Sequence, residues 1–278
     1  MQRQRTVNTT RTSTRWAWMG AGLGLALAFI TQAPAHWLTH AIEQASGERV
    51  LLPDAQGTVW NGSAQWVLNE GPLNTSTSSL TRSASTTALP TRVTWQLGPR
   101  IDWAHARLAL SATLASECCT PQPVRVDVSP LWRGVHVQVS DHTSSWPASW
   151  LVGLGAPWNT VQPEGRMQLQ TTQLAWTQQA GKDGLQGQAE LQMQQLSTRL
   201  STLRPLGSYR VRLRGDDMTL TLDTLEGSLL LQGTGQLQNG HIRFSGEATA
   251  APDTEAALSN LLNILGQRQG AKSILKMG

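Results

Sequence analysis

Gly57-Thr58-Val59-Trp60-Asn61-Gly62-Ser63-Ala64-Gln65-Trp66-Val67-Leu68 is the stretch that decides the fold class. Thr58, Trp60, Gly62, Ala64, Trp66 and Leu68 share one parity, and Asn61, Ser63, Gln65 and Asn69 take the other. That two-residue period is what a half-buried strand requires. Asn61-Gly62 also suits a two-residue hairpin turn, which would send Trp60 and Trp66 to opposite faces. A continuous strand, bent or bulged at Gly62, keeps both tryptophans on one apolar face and is the expected form.

The same alternation recurs downstream. Val93, Trp95 and Leu97 form one run, expected to stop at Gly98-Pro99. Ala104 to Leu114 forms the longest, and Val124 to Val128 and Val135 to Val139 follow. After an interruption at Asp141 to Pro163 it resumes through Met167, Trp176, Leu191, Val211, Leu220, Leu231 and Phe244. The opposite parity carries Gln, Thr and Arg throughout, and Gly181-Lys182-Asp183-Gly184, Gly215-Asp216, Glu226-Gly227 and Asn239-Gly240 mark turns. One wet face on strand after strand predicts a mainly β protein: an antiparallel meander sheet, open or curled, with one apolar face. Pro252-Asp253 predicts the start of a closing helix with Asp253 as cap and Leu258, Leu261, Leu262 and Leu265 as its apolar stripe. Around Ile274 the tail predicts a last short strand.

Ahead of the sheet, Arg3, Arg5, Arg11 and Arg15 supply the whole net charge of +4, so residues 16–278 are neutral. A neutral body argues against a nucleic-acid surface. The arginines precede an uncharged run from Trp16 to Ala35 whose most apolar part is Trp16 to Ile30. This pattern predicts a cytoplasmic basic tail (1–15), a transmembrane anchor (16–35) and a periplasmic β-rich domain (36–278). Ala33-Pro34-Ala35 also fits a signal-peptidase site, and the uncleaved anchor is preferred. Pro34 opens a helix carrying Trp37, Leu38, Ala41, Ile42 and Ala45 on one stripe, expected to prolong the membrane helix. Of the 17 residues from Thr75 to Thr91, 11 are Ser or Thr, which predicts a flexible loop over 74–91.

Chemistry-bearing constellations are sparse. His36 and His40 lie one helical turn apart but lack a third ligand nearby. Cys118 and Cys119, the only cysteines, predict a vicinal ring at a loop tip rather than a redox pair. Asp141-His142 has no serine in a nucleophile-elbow context, and no phosphate-binding loop is present. Trp146, Trp150 and Trp158 predict a packed connector across one end of the sheet. No catalytic, cofactor-binding or metal residue is assigned, no cofactor is implied, and a non-enzyme is expected.

Pro34-Ala35-His36-Trp37-Leu38 after the apolar run, Gly57 to Ala64, the strand containing Trp95, Gly155-Ala156-Pro157-Trp158-Asn159-Thr160 and Leu261-Leu262-Asn263-Ile264-Leu265-Gly266 occur in that order. Together they resemble protein N of the bacterial type II secretion system, from the apolar run to the final helix. The resemblance implies a single-pass inner-membrane component of the machinery that exports folded proteins across the outer membrane. It implies other secretion subunits as partners and neither nucleic acid nor a small-molecule substrate. The Ser/Thr-rich segment and the paired cysteines have no counterpart in it. An anchored sheet with one apolar face also resembles AsmA-type periplasmic proteins, which would make the apolar concave face a lipid groove.

Overall fold

The computed structural model describes residues 13–71, 86–102, 107–156, 158–238 and 241–277. Helix α1 (Ser13–Thr31) is followed after three residues by α2 (Ala35–Ala45). Then come β1 (Val50–Leu51), β2 (Gln56–Gly57), β3 (Asn61–Asn69), β4 (Thr86–Asp102), β5 (Arg107–Ser116), β6 (Val124–Leu131), β7 (Gly134–Val139) and β8 (His142–Pro147). A 3-10 helix (Ala148–Leu154) and the short α3 (Trp158–Val161) lead into β9 (Glu164–Gln179), β10 (Lys182–Ser197), β11 (Gly207–Arg214) and β12 (Thr219–Gly227). The chain closes with β13 (Leu229–Gln238), β14 (His241–Ala250), α4 (Glu255–Leu265), β15 (Gln267–Gln269) and β16 (Lys272–Met277).

All the strands belong to one antiparallel sheet ordered β1-β3-β4-β5-β6-β7-β9-β10-β11-β12-β13-β14-β16-β15, with β2 beside β3 and β8 beside β9. Its two ends are different strands that do not pair, so the sheet is open. In-register partners such as Leu97 with Ala112, Val128 with Val137 and Trp176 with Leu185 place the apolar parity of each strand on one common face. The expected architecture is therefore present, with the closing helix included. Leu258, Leu261 and Leu262 of α4 are buried against Leu206, Leu229 and Ala248. Thr254, not Asp253, stands at the N-cap position, and its hydroxyl donates to Ala251 O at 2.7 Å. The tail forms a hairpin, β15 with β16, rather than one strand.

At the opening stretch the continuous strand is replaced by a reversal. Gly57 pairs with Gly62 and Gln56 with Ser63, and Thr58 N–H donates to Asn61 O at 2.9 Å, so the chain turns over Thr58–Trp60. The turn is possible because Gly57 takes φ +87° and because Gly62 has no Cβ; one there would lie 2.5 Å from the Trp95 ring. Trp60 consequently leaves the apolar face of Trp66. Its indole N–H donates to Ile30 O at 2.6 Å, capping the last turn of α1.

Gly98-Pro99, expected to end a strand, does not, and Pro90, expected in a loop, lies in a strand. β4 continues through Gly98-Pro99, with Pro99 opposite Leu110, because β3 stops pairing at Asn61–Gln96 and leaves that side of β4 free. A proline with its nitrogen on an unpaired edge removes no ladder bond. Pro90 sits where the β3–β4 register shifts between Gln65 and Val67, the other position a sheet tolerates. Residues 86–91 of the expected Ser/Thr loop are thus strand, paired with β3, while 72–85 lie outside the described residues.

The expected membrane-spanning helix over 16–35 also needs correction. α1 ends at Thr31, the chain breaks direction at Gln32–Ala33, and Pro34 bridges to Thr58. Ser13, Thr14 and Arg15 occupy the first turn, so the apolar part is Trp16–Ile30, about 22 Å at roughly 1.5 Å per residue. Among the described residues no helix is long and apolar enough to cross a membrane. α2 is a separate element: Ala35, Leu38, Thr39 and Ile42 face the sheet, whereas Trp37 is 54% exposed and off the packed side.

Candidate functional site

The polar parity of β10–β14, with Ile274 of β16, lines a groove of about 1000 Å³. Gln188 and Glu190, Arg212 and Arg214, Thr221 and Asp223, Gln232 and Thr234, Ser245 and Glu247 contribute one pair per strand. Successive residues of the same parity come together because the registers Glu190–Arg212–Thr221–Thr234–Ser245 run straight across five strands. This groove lies on the polar parity, so it lends no support to the lipid-shelter expectation, which needs a groove on the apolar parity. Sequence alternation placed the Gln, Thr and Arg residues on this parity but missed the carboxylates Glu190, Asp223 and Glu247 and the convergence, which depends on register.

Glu190 and Arg212 pair within the groove, while Arg214 and Glu247 pair with Asp217 and Lys272 outside its lining. Glu190 accepts from Gln192 Nε2 at 2.6 Å and from Arg212 Nε at 2.8 Å. Arg210 Nε stands 3.1 Å from the same carboxylate without the alignment of a hydrogen bond. The Gln192 bond, then the two guanidinium groups, hold the Glu190 carboxyl below the usual carboxylate range against the opposing effect of burial. Lys272 Nζ donates to Glu247 at 2.9 Å and Gln232 to its other oxygen, and these bonds likewise lower Glu247. At the sheet's buried side, burial pushes the Tyr209 phenol well up, and its hydroxyl donates to Leu229 O at 3.0 Å.

On the apolar face, α2 bridges β1 and β3–β6 over a cavity of about 310 Å³. Leu38, Ile42, Val50, Leu52, Trp66, Val93, Trp95, Leu97, Leu114 and Val126 wall it, and Thr39 turns its hydroxyl to His36 O at 3.2 Å. Trp66 also meets Trp146 and Trp150 edge-on at 6.3 and 5.5 Å, and the latter two stack at 5.2 Å. Gly153 of the 3-10 helix sits against Leu68, so this connector packs across the sheet end as its tryptophans predict. Trp158, in α3, lies outside that triplet and is half-buried.

The remaining sequence candidates resolve into structural roles. His36 contacts Trp37 edge-on, and His40 meets Gln44 at 3.0 Å. Among the described residues no three His, Cys, Asp or Glu side chains gather as a metal site. Asp141 accepts the Gln173 N–H at 2.6 Å, and His142 Nδ1 meets Thr171 Oγ1 at 2.7 Å. Both fasten the β7–β8 break to a bulge in β9 where Gln173 takes φ +49°. Cys118 and Cys119 form the vicinal disulfide, with Cys119 buried and its carbonyl accepting from Ser145 N–H of β8 at 2.7 Å.

Residues 48–274 match the family model described as type II secretion system (T2SS), protein N. The matched segment begins just before β1 and ends inside β16, so it takes in nearly all of the sheet and α4 but neither α1 nor α2. No curated protein and no solved structure matches the chain.

Proposed function

We propose, for a chain that belongs to the type II secretion system protein N family, a non-catalytic, membrane-anchored scaffold role in that machinery. The observation that carries it is that the family segment spans the sheet from β1 into β16. The large charged groove supports a role in contact rather than chemistry, since neighbours lower the Glu190 and Glu247 carboxyls instead of raising them toward neutral pH. Other secretion subunits are the expected partners, in export of folded proteins across the outer membrane.

α1 supports a membrane association. Trp16, Leu23 and Phe29 are 72%, 68% and 64% exposed on a helix with no polar side from Trp16 to Ile30. A helix apolar all round belongs in protein interior or lipid, and one with no polar side does not lie in the bilayer interface. At about 22 Å it falls short of the roughly 30 Å hydrocarbon core, so insertion requires local thinning and basic flanks reaching to the headgroups. The four arginines then stay cytoplasmic and the sheet is periplasmic, as in a single-pass inner-membrane protein.

Deleting the gene should leave exported proteins in the periplasm, with restoration by the intact gene. Normal secretion in the deletion strain would overturn the role. Protease added to spheroplasts should degrade the sheet; a protected sheet would place it in the cytoplasm and reverse the topology.

A further inference from the structure

The cavity under α2 is a cleft partly open at the surface, and large beside the voids of a packed core. Voids bigger than a water molecule are few in a packed core, and one of about 150 Å³ with apolar walls stays dry and takes up small apolar ligands. The space here is about 310 Å³, its walls are almost wholly apolar, and the Thr39 hydroxyl is taken by His36 O. At roughly 30 Å³ per methylene-sized group it holds about ten such groups. An α-helix, about 10 Å across, does not fit.

Its surroundings specify an elongated occupant. Beyond the cavity wall at Leu97 and Ala112, the same face continues through Leu110, Leu108 and Ile101, which are 42%, 64% and 50% exposed. Along β5 the track from Leu114 to Leu108 covers six residue steps, about 20 Å at roughly 3.4 Å each. A compact ring would fill the cavity and leave this track in water; an unbranched chain covers both. Finally, α2 is joined to the exposed apolar α1 by only Gln32, Ala33 and Pro34. Because Trp60 ties the end of α1 to the turn beside Trp95, the cavity stands close to the bilayer surface when α1 is inserted.

We propose that this cavity is a binding site for one acyl chain of a membrane phospholipid. The site is distinct from the polar groove, and its supply of lipid rests on the membrane placement of α1. The chain enters between α2 and β4–β6, its methylenes against Leu97, Leu114 and Val126, with the headgroup outside.

The test uses the full chain in phosphatidylethanolamine–phosphatidylglycerol vesicles containing a phosphatidylethanolamine with a diazirine near the end of one acyl chain. After irradiation, peptides bearing Leu97, Leu114 or Val126 should carry the label, as should α1. Ala112→Trp, which fills the cavity, should lose the wall label and keep the α1 label, and Val126→Phe gives the same test should Ala112→Trp lower the thermal midpoint. Label confined to α1 in the unaltered chain overturns the acyl-chain site while leaving the membrane placement intact. Absence of label from α1 and wall overturns both. Wall label that persists in a folded filled variant, or that comes from a free diazirine fatty acid and never from the phospholipid, also overturns the proposal.

Discussion

Three tryptophans show how far one residue type can differ in consequence. Trp95 is 5% exposed, lies over Gly62 and donates to Val59 O at 3.1 Å. Trp95→Ala should lower stability by about 3–5 kcal/mol, the range for deleting a buried aromatic. Trp60 is half-buried in the turn, and its main specific contact is the Ile30 carbonyl. Trp60→Ala should cost about 1 kcal/mol, the net worth of one hydrogen bond, and should free α1 rather than unfold the sheet. Trp132, 88% exposed at the β6–β7 turn, should be replaceable by Ala within about 0.5 kcal/mol. Denaturant unfolding of the three variants checks the order, and equal losses would contradict it. Glu190 gives a pH test. Its folded carboxyl lies below its unfolded value of about 4.3, so the stability it contributes is present above that pH and is lost as pH falls through the folded value. Glu190→Gln should therefore flatten the acid limb of stability below about pH 5, with little change in the slope above it. An unchanged acid limb would show that the Gln192 and Arg212 contacts do not persist in solution.

Element by element, local pattern and tertiary context divide the credit. Strand parity was legible because every strand keeps one wet face, and the stripe on α4 was legible because leucines recur at helical spacing. The fate of Gly98-Pro99 was not, because whether a proline breaks a strand depends on which neighbour lies on its nitrogen side. The turn at Thr58–Trp60 was hidden for a related reason: its residues keep the parity of the strand that follows, and only the pairing of Gly57 with Gly62 reverses them. On α2 the stripe was read one position off, since Trp37 has the greater hydrophobicity but Thr39 has the buried place. Neither the cavity nor the polar groove could be seen, as both bring together residues far apart in the chain, from Leu38 to Val126 and from Gln188 to Ile274, through the register of several strands. For α4 the packing makes a firm expectation. Leu262 is fully buried among Leu206, Leu229 and Ala248, so Leu262→Ala should cost about 2–5 kcal/mol, whereas Ile264→Ala on the exposed side should cost less than about 1. Thermal melts of the two variants decide it; similar midpoints would mean that α4 does not cover the sheet in solution.

At the scale of the molecule, the buried apolar clusters sit at opposite ends of the sheet. One end holds Ala35, Leu52, Ala64 and Trp95 together with Leu89, Val93 and Cys119, joined through Trp66. The other holds the α4 cluster on β13, β14 and β16. Between them the 16-residue strands β9 and β10 are held mainly by their ladders, and apart from the buried Met167 and Ala175 of β9 the apolar residues there, such as Trp176, Leu185 and Leu191, are half-buried. Ladder bonds in contact with water contribute little net stability, so the centre transmits weak cooperativity between two better-packed ends. Calorimetry of the intact chain should accordingly resolve two transitions rather than one. Leu262→Ala should lower the midpoint of one and Trp95→Ala the other, each leaving its counterpart nearly fixed. A single transition whose calorimetric and van't Hoff enthalpies agree, moved by both substitutions, would mean that the long β9–β10 hairpin couples the ends fully. Independent ends would have a structural consequence for a secretion component: the end that carries α1 and the acyl-chain cavity could stay ordered at the membrane while a partner remodels the strands around the polar groove.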